Sequence, residues 1–235
     1  MNRWLAVDTA TEACSVALWL DGRVLECFET VGRDHTQKLL PMLHGLLADA
    51  GCTPRQLDGF VCDVGPGSFA GVRIGVGLVK GLALALDKPV VPVLSLNALA
   101  QRAIRLDGVL QVAAAIDARM NEVYFASFRR DAQARAEIIS GPQVCAAEQV
   151  SALPAGEWHG VGTGWGVYAA ALGNAAGAMS IIKPEALPHA EDALHWAQAQ
   201  WQTGRVVNAD KLEPVYLRDK VALTLAEQAQ KRPSA

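Results

Sequence analysis

Two short stretches hold the residues best able to do chemistry. Asp8-Thr9-Ala10-Thr11-Glu12 sets an acid at the end of an apolar run, with hydroxyls directly behind it. In such a hairpin, backbone N–H groups and hydroxyls can face an anion while the carboxylate positions a metal or water. The same residue types also shape turns through side-chain to backbone bonds. The second stretch, DVGPGSFAGVRIG from Asp63 to Gly75, opens on glycines before a long apolar run. Glycine turns ahead of helices often cradle phosphates. Asp8, Thr9, Thr11, Gly65, Gly67 and Ser68 therefore form a candidate nucleotide or anion site of degenerate type.

The spacing argues against a working phosphate loop. Gly65-x-Gly67-x-x-Ala70 formally fits a dinucleotide fingerprint, but that motif also needs an acid about 20 residues on, at the end of the next strand. Here the next strand runs into Leu94, Ser95, Leu96 and Asn97, and Asp87 lies before it. No GxxxxGK[ST] occurs, and Pro66 removes one N–H from the turn. Ser68 sits in Pro66-Gly67-Ser68-Phe69-Ala70, which is not a Gly-x-Ser-x-Gly elbow, and no Ser-His-acid set is apparent. His35 and His44 do not share a helix face, nor do His189 and His195, so no metal site is expected. Arg119, behind Asp117, could meet an anion but reads first as a salt-bridge residue. Gly160 to Gly164 resembles an adenosine-binding turn, but bulky Trp165 follows it.

The elements that must position these residues fall into a repeat. Strands are expected over 3–7, 13–20 and 23–30, a helix over 36–50, a strand over 59–64, the helix after the glycine turn to residue 86, a strand over 89–94 and a helix over 95–105. The second half reads alike, with strands over 112–116, 122–129 and 134–140, a short helix over 146–152, a strand over 158–161, a glycine turn and helix to 172, a strand over 179–182 and a helix over 190–201. AVDTATEACSVAL aligns with AIDARMNEVYFAS, setting Asp8 over Asp117, and VGPGSF with VGTGWG, setting Gly65 over Gly162. The fold class expected is α/β, a duplicated ribonuclease H-like unit of the actin/hexokinase/Hsp70 type with two mixed sheets. The division expected is 1–106, 107–218 and a tail at 219–235.

The helix behind the glycine turn is apolar nearly all round. Val72, Val76, Val79 and Ala83 make one face, Ile74, Leu78 and Leu82 another, and Gly71/Gly75 and Gly77/Gly81 are pairs four apart. Such a helix must be covered on both sides. Glycine costs about 1 kcal/mol against Ala in a helix, so four imply close approach of another backbone. A partner interface is expected from Leu39, Leu43, Leu46 and Leu47 of the first helix and Val72, Gly75, Val76, Val79 and Ala83 of the second. On this reading Val76→Glu or Val79→Glu abolishes pairing and leaves the monomer folded.

Composition bounds the remaining classes. The 235 residues are 51% hydrophobic and 19% charged, which is globular. A net charge of -3 supplies no basic field for strong nucleic-acid binding. Five scattered cysteines without a CxxC fit buried thiols in a reducing compartment. No signal peptide is apparent, and Arg73 and Lys80 argue against a membrane span in the most apolar run, so a cytoplasmic protein is expected.

LAVDTATEACSVAL, HTQKLLPML, GPGSFAGVRIGVGLVKGLA, AIDARMNEVY and PVYLR together resemble the TsaB (YeaZ) family of tRNA threonylcarbamoyladenosine biosynthesis proteins. The resemblance spans nearly the whole chain, with Ala70 where the family usually has Thr, and Ala10 where the superfamily's phosphate hairpin has glycine. It implies a non-catalytic paralogue of the transferase subunit TsaD, joined by the ATPase TsaE. The assembly would move threonylcarbamoyl from its adenylate to N6 of the adenosine 3′ of the anticodon. The resemblance further implies pairing with TsaD through the helices at 36–50 and 68–86, a homodimer in isolation, tRNA contact only within the complex, and no cofactor, with ATP or ADP binding weak or absent. The alternative is a peptidase acting on TsaD, or a weak ATPase with a degenerate cleft.

Overall fold

A computed structural model describes residues 3–176 and 179–218. The tail at 219–235, with Lys231-Arg232, lies outside the described residues.

Strands β1 (Arg3–Asp8), β2 (Ala13–Leu20) and β3 (Arg23–Thr30) form an antiparallel meander. Helix α1 (His35–Asp49) leads to β4 (Gly59–Asp63), α2 (Phe69–Leu86), β5 (Val90–Val93) and α3 (Ser95–Asp107). The second half repeats the pattern: β6 (Gln111–Arg119), β7 (Glu122–Arg130), β8 (Ala136–Ala146), β9 (Trp158–Val161), α4 (Thr163–Ala176), β10 (Met179–Lys183) and α5 (Ala190–Gln202). The sheets have orders β3-β2-β1-β4-β5 and β8-β7-β6-β9-β10, with β4 and β5, and likewise β9 and β10, parallel to the central strand. The chain is thus a duplicated mixed α/β fold of the ribonuclease H-like type, as the repeat in the sequence predicts.

The duplication extends to the turns. Asp8 accepts the Ala10 N–H at 3.0 Å, and Asp117 accepts the Arg119 N–H at 2.9 Å, so each carboxylate bonds the N–H two residues on, though the first hairpin loop spans 9–12 and the second only 120–121. Gly65 and Gly162 occupy equivalent places after β4 and β9, with φ of 93° and 99°. Only glycine adopts that backbone without strain.

One predicted element differs. The short helix expected over 146–152 is a single 3-10 turn at Ala147–Gln149. Strand β8 instead runs on to Ala146, because its pairing with β7 continues to Glu122 opposite Ala146. Pro41 sits inside α1, on its exposed side, without ending the helix.

Period-two alternation divides the core. In β1, Leu5 and Val7 face α1 and α2, while Trp4 and Ala6 face α5. In β6, Val112, Ala114 and Ile116 pack under α3, while Ala113 and Ala115 pack with Trp165 and Leu172 of α4. The helix that closes each repeat therefore packs on the other repeat's sheet. Asp192 at the start of α5 is buried and accepts from Arg105 at 2.7 Å and Arg102 at 3.3 Å of α3, which ties the two helices together. All five cysteines are free thiols. Burial pushes the Cys14 thiol up to about 12 and the Cys62 thiol well above its ordinary value, so both are inert packing groups.

Candidate functional site

Asp8 and Asp63 end neighbouring parallel strands, one step beyond the Val7–Cys62 pair, and both are buried. Asp63 Oδ1 accepts from the Gly65 N–H at 2.6 Å and from the Ser95 hydroxyl at 2.7 Å. The second oxygen of each carboxyl has no partner but the other carboxyl. Burial, then the charge of Asp8, holds Asp63 well above the usual carboxylate range. Burial raises Asp8 as well, so both carboxyls of the pair resist ionisation.

The residues of the sequence-predicted anion site do converge. The Asp8–Thr11 hairpin meets the Gly65–Ser68 turn, but the two are pressed together. The Ser68 N–H donates to the Ala10 carbonyl at 2.6 Å, and the Thr9 hydroxyl donates to the Gly71 carbonyl at 2.7 Å. Ser68 Oγ caps α2 by accepting from the Gly71 N–H at 3.3 Å. Thr11 Oγ1 accepts from the Ala13 N–H. A Cβ at Gly67 would run into the Ala10 carbonyl, and one at Gly71 or Gly75 into Thr9. These glycines exist so that the hairpin and the first turns of α2 can touch. The Ala10 and Ser68 N–H groups and the Thr9 hydroxyl are thus bonded within the protein.

Beside this junction opens a cleft of about 570 Å³, lined by Ala10–Glu12 and Gly67–Phe69 on one side and Asp117–Arg119 and Thr163 on the other. Residues 212–218 strap across it. Lys80 Nζ donates to the Asp210 and Leu212 carbonyls at 3.2 Å each, and the Val215 N–H donates to the Val64 carbonyl at 2.8 Å. Arg218 then grips the β6–β7 hairpin, donating to the Ala118 carbonyl at 3.0 Å and pairing with Glu122. Arg119 pairs with Asp117 at 2.8 Å, the salt bridge read from the sequence. The strap was missed at the sequence level, because nothing in PVYLR marks a regular element.

Among the described residues, no three His, Cys, Asp or Glu side chains could hold a metal ion. His35 is buried, with Nε2 3.0 Å from the Ala13 carbonyl. One Ser–acid–His grouping exists. Ser15 donates to Glu26 Oε1 at 2.9 Å, and His189 Nδ1 lies 2.9 Å from Glu26 Oε2. The carboxylate stands between serine and imidazole, so the histidine cannot take the serine proton. The group instead anchors α5: Ser15 Oγ accepts the Ala190 N–H, and Glu26 accepts the Glu191 N–H.

The residues named for a partner interface lie inside. Leu39, Leu43, Leu46, Leu47, Val72, Gly75, Val76, Val79 and Ala83 are all buried, and all but Gly75 belong to the core cluster over the first sheet. The expectation that Val79→Glu leaves the monomer folded is therefore corrected: Val79 is 0% exposed, and an unpaired carboxylate there would break the core. What the same helices leave uncovered is another face. On α2 it comprises Gly77, Gly81, Leu84 and Ala85, flanked by half-buried Ile74, Leu78 and Leu82. On α1 it includes Leu40, His44, Gly45 and Ala48. A Cβ at Gly45, Gly77 or Gly81 would meet nothing within 4 Å. Helix α2 is long and apolar enough to cross a membrane by length and composition alone, yet its inner face belongs to the core of a mixed sheet.

Residues 29–224 match the family model of TsaD, the tRNA N6-adenosine threonylcarbamoyltransferase. The chain is 44% identical to the tRNA threonylcarbamoyladenosine biosynthesis protein TsaB of Escherichia coli (strain K12), over 94% of this chain and 96% of that one. The chain is a TsaB-type member of the TsaD family. TsaB of Haemophilus influenzae is 41% identical over 92% of this chain and 94% of its own length. The solved structure of YeaZ from Pseudomonas aeruginosa superposes with a TM-score of 0.87 at 44% identity, covering 92% of this chain and all of that one. A second Pseudomonas aeruginosa structure, described as similar to peptidase YeaZ, gives 0.86 at 45% identity over 93% of this chain and all of that one.

Proposed function

We propose that this chain acts in tRNA threonylcarbamoyladenosine biosynthesis as a non-catalytic subunit. Its relatives carry that pathway in their names. It pairs with a TsaD-type transferase through the uncovered faces of α1 and α2, and TsaE joins the pair. A second copy of the chain takes that face in isolation. The assembly moves threonylcarbamoyl from its adenylate to N6 of the adenosine 3′ of the anticodon, in the cytoplasm. The chain needs no cofactor of its own, with ATP or ADP bound weakly or not at all.

The observation that carries this reading is the outer face of α2, a helix only 33% of whose residues are buried. Exposed apolar faces of this extent mark partner sites. Gly77 and Gly81 meet nothing there, so their helix-weakening presence has no purpose within the chain. Opposite a second helix they allow close backbone approach. The non-catalytic part rests on the junction of the Asp8 hairpin with the Gly65 turn, where the Ala10 and Ser68 N–H groups and the Thr9 hydroxyl are spent within the chain.

The test is gel filtration of Leu84→Glu mixed with TsaD, beside the unaltered chain. Leu84 is 71% exposed, so the variant folds, and the proposal expects it to elute apart from TsaD. Co-elution of Leu84→Glu with TsaD, as for the unaltered chain, would remove the docking face from this reading.

A further inference from the structure

The rim of the cleft gathers side chains that serve no core. Phe69 and Tyr216 stand 56% and 50% exposed, with ring centroids 6.0 Å apart. The Arg73 guanidinium lies 3.2 Å from the Phe69 centroid and 5.2 Å from that of Tyr216. Arg33 lines the same cleft from the loop after β3, and Arg119 from the opposite side. Arg119, Met120 and Asn121 form the tip of the β6–β7 hairpin with φ of 62°, 58° and 62°. Three successive non-glycine residues in the left-handed region are strained, and such strain collects at ligand contacts. Arg218 holds the tip in place and so presents Arg119 and Met120 outward. Four segments far apart in sequence thus deliver rings and guanidinium groups to one rim.

We propose that this rim binds unpaired nucleotides of an RNA, with bases stacking on the Phe69–Arg73–Tyr216 group and phosphates meeting Arg33 and Arg119. The inference rests on the proposed function, whose substrate is a tRNA. Exposed rings layered with arginine make a stacking platform that accepts any base. Only unpaired nucleotides offer free faces to it, which selects a loop over a helix. The charged groups at the rim are Arg33, Arg73, Arg119 and Arg218 against Glu12, Asp117 and Glu122, with Asp117 paired to Arg119 and Glu122 to Arg218. With so little net positive charge, stacking supplies most of the affinity, and salt weakens it only gently. A chain of net charge -3 can therefore touch RNA locally without binding duplexes.

The experiment is fluorescence anisotropy of the purified chain with a labelled, unmodified anticodon stem-loop carrying adenosine 3′ of the anticodon. The arms are the same RNA annealed to its full complement, and AMP and ATP as competitors. Phe69→Ala and Tyr216→Ala are each expected to weaken loop binding about tenfold, and Arg33→Ala with Arg119→Ala to lower the salt slope. Arg55→Ala, at the far end of the first sheet, should change nothing. The fully paired RNA should bind at least about tenfold more weakly. The inference is overturned if the chain alone fails to bind the loop, or if the ring variants bind it as the unaltered chain does. It is equally overturned if duplex and loop bind alike, or if AMP displaces the RNA at the affinity of the loop. Ring variants that bind RNA normally but lose TsaD would make the rim a protein contact instead. Transfer activity that still requires the chain, beside a flat RNA titration, would sink this inference and leave the subunit reading standing.

Discussion

Asp8 and Asp63 end adjacent parallel strands and lie buried together in the core, where burial raises both carboxyls above their usual range. Each carboxyl also closes the turn behind its own strand, at Ala10 and Gly65. The Ser68–Ala10 and Thr9–Gly71 hydrogen bonds then fix the hairpin and the glycine turn relative to each other.

The raised Asp63 carboxyl makes stability fall as pH rises. Asp63 is held well above its unfolded value by burial and by Asp8. Between the unfolded value, near 3.9, and the folded one, the native state carries a proton the unfolded chain has lost, so stability declines through that window. In Asp63→Asn the amide donates to Asp8 without titrating, and its oxygen still accepts from Gly65 and Ser95. Urea unfolding at a series of pH values should show Asp63→Asn gaining on the unaltered chain from about pH 4 upward. A constant difference across that range would mean that the Asp63 carboxyl is not raised.

A second linkage has the opposite sign. Burial alone would raise Glu26, but the hydrogen bonds from His189, the Glu191 N–H and Ser15, with the His189 charge, hold it below the usual range. The stability this adds is present above the unfolded value and is lost as pH falls through the folded one. Glu26→Gln should be less stable than the unaltered chain at neutral pH and approach it in acid. The thermal midpoint against pH measures this, and a gap that widens toward low pH would contradict it.

The glycines of α2 divide by what they touch. Gly71→Ala and Gly75→Ala drive a methyl into Thr9 and should cost about 1–3 kcal/mol. Gly77→Ala and Gly81→Ala add a methyl in open space on the single chain and should stabilise the monomer by up to about 1 kcal/mol each. If the outer face docks closely on a partner helix, the same two substitutions weaken pairing. Denaturant midpoints and gel filtration read the two effects separately.

Much of this was legible in the sequence. Strand alternation and paired turn signals gave the duplicated fold; the Asp8–Asp117 alignment coincides with a shared carboxylate-to-N–H bond and the Gly65–Gly162 alignment with a shared positive φ. The convergence of Asp8, Thr9 and Thr11 on Gly65, Gly67 and Ser68 was also legible, because strand ends and helix starts share one edge in such folds. Which face of α2 points inward was not. Val72, Val76, Val79 and Ala83 are as apolar as Ile74, Leu78 and Leu82, and a helix apolar all round has no phase to read. Tyr216 and Arg218 were opaque for another reason. They act through long-range contacts made by an irregular strap, which leaves no periodicity. The Asp63 proton depends on burial that only the packed sheet creates.

The central claim is that the chain supports threonylcarbamoyl transfer without catalysing it. The most direct measurement is transfer to unmodified tRNA by TsaD and TsaE, given threonylcarbamoyl-adenylate, with no added chain, with the unaltered chain, with Leu84→Glu and with Asp8→Asn. The account predicts that transfer requires the chain, is lost with Leu84→Glu, and persists with Asp8→Asn. Transfer abolished by Asp8→Asn in a folded protein that still pairs with TsaD would contradict it, as would full transfer without the chain.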